Sequence, residues 1–404
     1  MAQPQFINFM LRIYQGVILS CLVVAGNSAF AQVWIQTAAP TNVWAAIASS
    51  ADGSRLAALA TQTCYISTNS GTTWTSNNFS ASGSVLAASA DGLHLVSAQS
   101  NTGEIDVSTN GGGNWAKSTN YIEAAWFSIA SSADGKKLVL TEGGPLVRAS
   151  TNSGATWYSL ASLPNSGSQG QFAAMSADGT HVVVAINNKC ICSTTNFGSN
   201  WLTNNLSIPC EAIAASADGL HFAIAPYGGN IYTSSDSGVT WTQQTNSPNA
   251  LWWSIASSAD GARLVAVSGS ATVGGAGSVY TSMDFGSTWI SNSAPSQPWQ
   301  RVASSADGNQ LAATVYGVSP VFRGGIWISQ TTPSPQLNVS LFNNNLNLSW
   351  LVPSANFVLQ EASDLNAENW TAVTNLPTLN LTNLQKQLTL PPTNSSAFFR
   401  LTSQ

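Results

Sequence analysis

Ser67-Thr-Asn-Ser-Gly-Thr-Thr-Trp74 is the first of six variants of one octapeptide pattern along this chain. The other copies begin at Ser108 (STNGGGNW), Ser150 (STNSGATW), Thr194 (TTNFGSNW), Ser234 (SSDSGVTW) and Ser282 (SMDFGSTW). Each follows a short apolar run such as Cys64-Tyr65-Ile66, so each reads as a hairpin with fixed chemistry. The hydroxyl and the Asn or Asp side chain bond the turn backbone, the Gly supplies φ > 0, and the Trp buries its ring beneath. The positions that carry this are Ser67, Asn69, Gly71 and Trp74, then Asn110 and Trp115, Asn152 and Trp157, Asn196 and Trp201, Asp236 and Trp241, Asp284 and Trp289.

A second repeat runs in phase with the first. Ser-Ala-Asp-Gly recurs with its Asp at 52, 91, 134, 178, 218, 260 and 307, at spacings of 39 to 47 residues. Asp-Gly between two strand-like runs signals a hairpin. Four short strands in a period near 40 residues are the signature of a propeller blade. The fold class expected is therefore all-β: a seven-bladed β-propeller, each blade running from an inner strand A outward to strand D. The last blade lacks a fourth strand, because Thr331-Thr332-Pro333 replaces the box. Val33-Trp34-Ile35-Gln36 supplies it: Trp34 stands ten residues before Trp44, as Trp289 does before Trp299, so the N-terminal strand is expected to close the ring. After Ser334 six alternating segments between Leu337 and Thr402 predict a small β-sandwich.

The domains expected are a cleaved signal peptide over 1–31, the propeller over 32–332 and the sandwich module over 333–404. Met1 to Gln15 carries one cation, Arg12; Gly16 to Gly26 is apolar; Ala29-Phe30-Ala31 offers a cleavage site. A secreted, periplasmic or cell-surface location follows as an expectation, without membrane insertion, since no apolar run approaches about 20 residues. With 12 basic and 17 acidic residues, net −5 and no basic stripe, nucleic acid is excluded as a partner. A monomer binding a protein or a glycan is expected. Cys190 and Cys192 share one strand face and do not bridge each other; either could pair with Cys210, or all could be small core residues.

The box resembles the Asp-box, or bacterial neuraminidase repeat, of sialidases, sortilin-type receptors, some glucan-cleaving propellers and photosystem II assembly factors. The resemblance covers residues 32 to about 330. It implies the propeller fold and a structural role for the boxes, on the outer C to D hairpin away from the ligand. Asn replaces the usual Asp at 69, 110, 152 and 196, which argues against cation binding by the boxes. The tail around Phe357-Val-Leu-Gln-Glu and Phe398-Phe-Arg-Leu looks like a C-terminal module of exported proteins from Verrucomicrobia-type bacteria.

A glycosidase needs two carboxylates flanking the scissile bond. Of 11 Asp and six Glu, the turns, boxes and tail account for all but Glu104, Asp106, Glu123, Glu142 and Glu211, and no motif pairs any two of these. The sialidase arginine triad would have to come from Arg148, Arg301 and Arg323, without the Arg-Ile-Pro sequence of that family. His94, His181 and His221 fall in one repeated slot, the second place after Ala-Asp-Gly, shared with Arg55, Lys137, Arg263 and Gln310; it reads as a solvated polar position. No metal site and no cofactor is expected. Ligand contact is expected on the face formed by the D to A and B to C connections, from Trp252, Tyr121, Tyr227, Tyr316 and Arg323. In that reading Trp44, Trp126, Trp253 and Trp299 are the recurring wedges between blades. The expected function is non-catalytic binding, with a sialidase-like or glucan-cleaving glycoside hydrolase as the competing class.

Overall fold

The computed structural model describes residues 12–14, 17–19, 33–60, 63–78, 85–100, 102–119, 124–143, 146–163, 171–269, 275–317, 324–330, 337–342, 345–351, 357–363, 369–380, 384–391 and 398–403. Among these residues the structure is strand and turn, without helix. A two-stranded hairpin, Arg12–Tyr14 against Val17–Leu19, comes first, within the stretch expected to be a signal peptide.

Seven four-stranded antiparallel sheets follow, each in the order A-B-C-D. Their A strands are Trp44–Ser49, Val85–Ala88, Trp126–Ser131, Gln171–Met175, Cys210–Ala215, Leu251–Ser257 and Trp299–Ser304. The B strands are Leu56–Ala60, Leu95–Ala98, Leu138–Glu142, Val182–Ile186, Phe222–Pro226, Leu264–Gly269 and Gln310–Val315. These B strands are buried almost throughout, as expected of a sheet covered on both faces. In sheet 7 the fourth strand is Trp34–Gln36, paired with Ile326–Gln330 so that Trp34 faces Ser329 and Gln36 faces Trp327. Trp34 is buried, and its ring centroid lies 5.6 Å from that of Trp299, while Ile35 on the other side of the strand is exposed.

The Ser-Ala-Asp-Gly turn fastens the sheets to one another. The alanine N–H of each turn donates to the alanine carbonyl of the next: Ala51 to Ala90, Ala90 to Ala133, and onward through Ala177, Ala217, Ala259 and Ala306, which returns to Ala51 at 2.7 Å. Within each turn the aspartate Oδ1 accepts from the preceding serine hydroxyl and from a backbone N–H two residues on, as Asp52 does from Ser50 and Ser54. Gly219, at φ 70°, shows why glycine completes the motif: a Cβ there would stand 2.5 Å from His181 of the previous sheet. The slot residues are thus not the solvated positions expected from sequence. Arg55, His94, Lys137, His181, His221 and Arg263 are half-buried and Gln310 is buried, each against the glycine turn of the following sheet.

The boxes make the bonds their composition predicts. In the first, Ser67 Oγ accepts from Gly71 N–H at 2.8 Å, Asn69 Oδ1 from Thr73 N–H at 2.9 Å, and Trp74 Nε1 donates to Gly71 O at 3.0 Å. Asn replaces Asp in four copies because the amide oxygen serves as well as a carboxylate here; Asn196 accepts from Asn200 N–H at 3.0 Å as Asp236 does from Thr240 at 2.9 Å.

The tail forms a four-stranded sheet, Asn338–Phe342, Asn345–Leu351, Gln385–Leu390 and Thr378–Asn380, and a three-stranded one, Thr371–Ala372, Phe357–Ala362 and Phe398–Ser403. Both contribute to one apolar cluster around Leu348, Trp350, Leu359 and Phe399. Leu384, at the turn into Gln385–Leu390, packs against the ring of turn alanines. Cys64, Cys190, Cys192 and Cys210 are buried and not disulfide-bonded, so the core alternative holds and no bridge joins Cys210.

Candidate functional site

A β-bulge marks the start of strand A in five sheets, between Trp44 and Ala46, Trp126 and Ser128, Cys210 and Ala212, Trp252 and Ser254, and Trp299 and Arg301. A bulge adds one residue and re-aims its side chain. The extra residues are Ala45, Phe127, Glu211, Trp253 and Gln300. They stand on the innermost strands, at the end opposite the Ser-Ala-Asp-Gly ring. The serine after the bulge holds the neighbouring inner strand: Ser128 Oγ accepts from Ala173 N–H at 3.1 Å and Ser254 Oγ from Val302 N–H at 3.2 Å.

The bulge exchanges the roles expected for two tryptophans. Trp252, not Trp253, aligns with Trp44 and Trp126: it is 0 % exposed, and its Nε1 donates to Gly229 O at 2.9 Å, as Trp44 does to Gly324 and Trp126 to Gly103, each in the preceding sheet. A ring packed between sheets has no free face, so Trp252 is not a ligand residue. Trp253 is the residue the bulge adds. It is half-buried, lies over Gly269, and meets Tyr227 edge-on at 5.8 Å. Tyr227 is 45 % exposed and Phe127 39 %, so the rim presents aromatic surface.

One pair of opposite charges joins them. Arg301 donates through Nη1 to Trp253 O at 3.0 Å and to Gln300 O at 3.3 Å. Burial lowers its pKa from the ordinary arginine value, and the Glu211 carboxylate opposes that shift. Glu211 is raised, first by burial, with Arg301 pulling it back. Sheets 5, 6 and 7 thus place a carboxyl, an indole and a guanidinium around the mouth of the channel, with Tyr227 beside them. Tyr316 follows strand B of sheet 7 and donates its N–H to Pro298 O at 2.6 Å, next to the bulge at Trp299.

Of the remaining sequence candidates, Tyr121, Glu123 and Arg323 lie outside the described residues. Glu142 is buried at the end of strand B opposite Trp126. Arg148 is buried in strand C of sheet 3, bonded to Ser159 Oγ, so it does not join Arg301 in a triad. Glu104 and Asp106 share one side of strand C in sheet 2, two residues or about 7 Å apart. Their environments divide them: burial, then the Glu104 charge, raise Asp106, while Glu104 is lowered mainly by its hydrogen bond to Lys117. Asp106 is 6 % exposed and paired in register with Ser97 and Lys117, away from the innermost strands. Among the described residues no group of three His, Cys, Asp or Glu is placed to hold a metal ion.

These features define a β-propeller carrying a mixed aromatic and charged rim. No family model and no curated protein matches the sequence. Solved propeller structures do. The chain is similar to YCF48 bound to D1 peptide (TM-score 0.55, 14 % identity, 76 % of this chain and 97 % of that one). It is also similar to the Cps50 (Swd1) β-propeller domain of Myceliophteria thermophila (TM-score 0.55, 12 % identity, 72 % and 98 %). A third is the GH74 xyloglucanase of Xanthomonas campestris (TM-score 0.54, 14 % identity, 79 % of this chain but 59 % of that one). At these identities the likeness shows the fold alone. Among the described residues no helix is long and apolar enough to cross a membrane.

Proposed function

We propose that this chain is an exported, monomeric, non-catalytic Asp-box propeller of seven blades that binds a protein segment across the rim of sheets 5 to 7, with residues 333–404 as an appended β-sandwich. The bulge in strand A carries the reading, because it sets Trp253, half-buried at the edge of the cluster between sheets 6 and 7, and Glu211 beside Tyr227 and Arg301. An indole edge suits an apolar side chain. Arg301 is partly exposed, and a guanidinium suits a carboxylate of the partner. The YCF48 structure with a peptide offers a precedent for the fold, not for these residues. Seven fastened sheets and six boxes support the blade count, the shared apolar cluster supports the sandwich, and the Arg12, Gly16 to Gly26 and Ala29-Phe-Ala pattern supports export from a cleaved precursor.

Selection of a phage-displayed random peptide library on the purified protein tests the reading. Enriched peptides should pair an apolar with an acidic side chain, and Trp253→Ala and Arg301→Gln should each weaken them at least tenfold. Failure to enrich any sequence, or affinity unchanged in both variants, would overturn it.

The competing reading, a glycoside hydrolase, has Glu104 and Asp106 in its favour, because two neighbouring carboxyls shifted in opposite directions resemble an acid and base pair. The burial of Asp106 opposes it. Hydrolysis of a glucan or sialyl substrate, lost in Glu104→Gln, would establish it.

A further inference from the structure

In three sheets the residue three places after the box tryptophan fastens one sheet to the next. Asn77 donates to Gly112 O at 2.5 Å, Ser118 to Gly154 O at 2.5 Å, and Asn204 to Val239 O at 3.1 Å, each in the following sheet's box. Leu160 fills the same place in sheet 3, against Gly198. Sheets 6 and 5 depart from this: in sheet 6 Asn292 accepts from Thr281 Oγ1 of the same sheet at 3.3 Å, and sheet 5 is alike. Its Gln244 turns inward and donates to Thr233 Oγ1 of its own sheet at 2.5 Å. The bridge to sheet 6 is made two residues later by Asn246, to Ser287 O at 3.4 Å.

A cleft of about 300 Å³ opens at that seam. One wall is Phe285, at φ 60° in the box position that Phe197 also fills at φ 50° and that Ser70, Ser153 and Ser237 fill elsewhere; its ring lies 4.5 Å from that of His221. Hydroxyls of Thr233, Thr242 and Ser287 and the Gln244 amide supply the remaining surface. Among the described residues that line it there is no Asp, Glu, Lys or Arg. The volume falls at the lower end of the roughly 300–1,000 Å³ of small-molecule sites. An uncharged cleft with hydroxyls on one side and an exposed aromatic face on the other suits a ligand with alternating C–H and O–H surface.

We propose that the seam between sheets 5 and 6 binds one residue of a neutral saccharide, stacked on Phe285 and hydrogen-bonded by Thr233, Thr242 and Gln244. This site is separate from the channel rim. Saturation-transfer NMR on the full protein with glucose, galactose, mannose, xylose and cellobiose tests it. At least one sugar should receive saturation. Phe285→Ser and Gln244→Leu, residues that other copies hold at the same places, should abolish the transfer while far-ultraviolet circular dichroism stays native. Trp253→Ala should leave it unchanged, so the outcome is independent of the rim. Transfer to none of the five sugars, or equal transfer in both seam variants, would mean that the cleft holds water only and would overturn the proposal.

Discussion

Replacing Trp34 by alanine measures how firmly the first strand closes the ring. The side chain is 6 % exposed and packs with Trp299, Val267, Val279 and Val315. Burying a tryptophan removes about 150–250 Å² from water. At about 25 cal/mol per Å² that is roughly 4–6 kcal/mol, and about 3–5 kcal/mol once the compactness of the unfolded chain is allowed for. Large-to-small changes at buried aromatics cost about the same. Among the described residues its indole N–H meets no hydrogen-bond partner, so truncation removes no bond shown there. Ile35, on the other side of the same strand, is 60 % exposed, and Ile35→Ala should cost at most about 0.5 kcal/mol. Urea unfolding followed by tryptophan fluorescence should therefore separate the two variants widely, with Trp34→Phe in between because it keeps a ring against Trp299. Equal midpoints for Trp34→Ala and Ile35→Ala would refute the closure.

Gly219→Ala should destabilise by at least about 2 kcal/mol, since φ of 70° is unfavourable for alanine and the new methyl meets His181; Gly229→Ala, with open space around it, should cost about half that in the same unfolding assay. Asp106→Asn should stabilise the protein at pH 7. The folded pKa of Asp106 is raised, so the folded state binds more protons and stability falls as pH rises above the ordinary value of 3.8. The gain in the Asn variant should shrink as pH falls toward that value, and a variant no more stable than wild type at pH 7 would contradict this. Burial pushes the Cys64 and Cys192 thiols up to about 12, so a thiol reagent should label neither until denaturant is added; labelling of the native protein would show that strand C of those sheets opens.

The architecture was legible because two motifs encode it redundantly: the Ser-Ala-Asp-Gly turn, whose every residue makes an inter-sheet or intra-turn bond, and the box, whose polar atoms satisfy its own backbone. The closing strand was legible from the ten-residue interval between Trp34 and Trp44. The rim was not. A bulge shifts side chains without changing composition, so Trp252 and Trp253 exchanged places in the sequence reading. A signal was available: Trp44, Trp126, Trp252 and Trp299 each stand eight residues before the turn aspartate. Arg301 and Glu211 were legible as charges but not as neighbours, since only the ring brings sheets 5 and 7 to either side of Trp253. The slot residues looked solvated because polar identity does not reveal that their stems are covered by the next turn.

Hydrogen–deuterium exchange of the protein with and without a saturating selected peptide reads the binding rim directly. Slowed exchange is expected in 226–228, 251–254 and 299–301, with the alanine ring and the boxes unchanged. Protection confined to the Ser-Ala-Asp-Gly end or to the boxes would contradict the assignment of function to that rim.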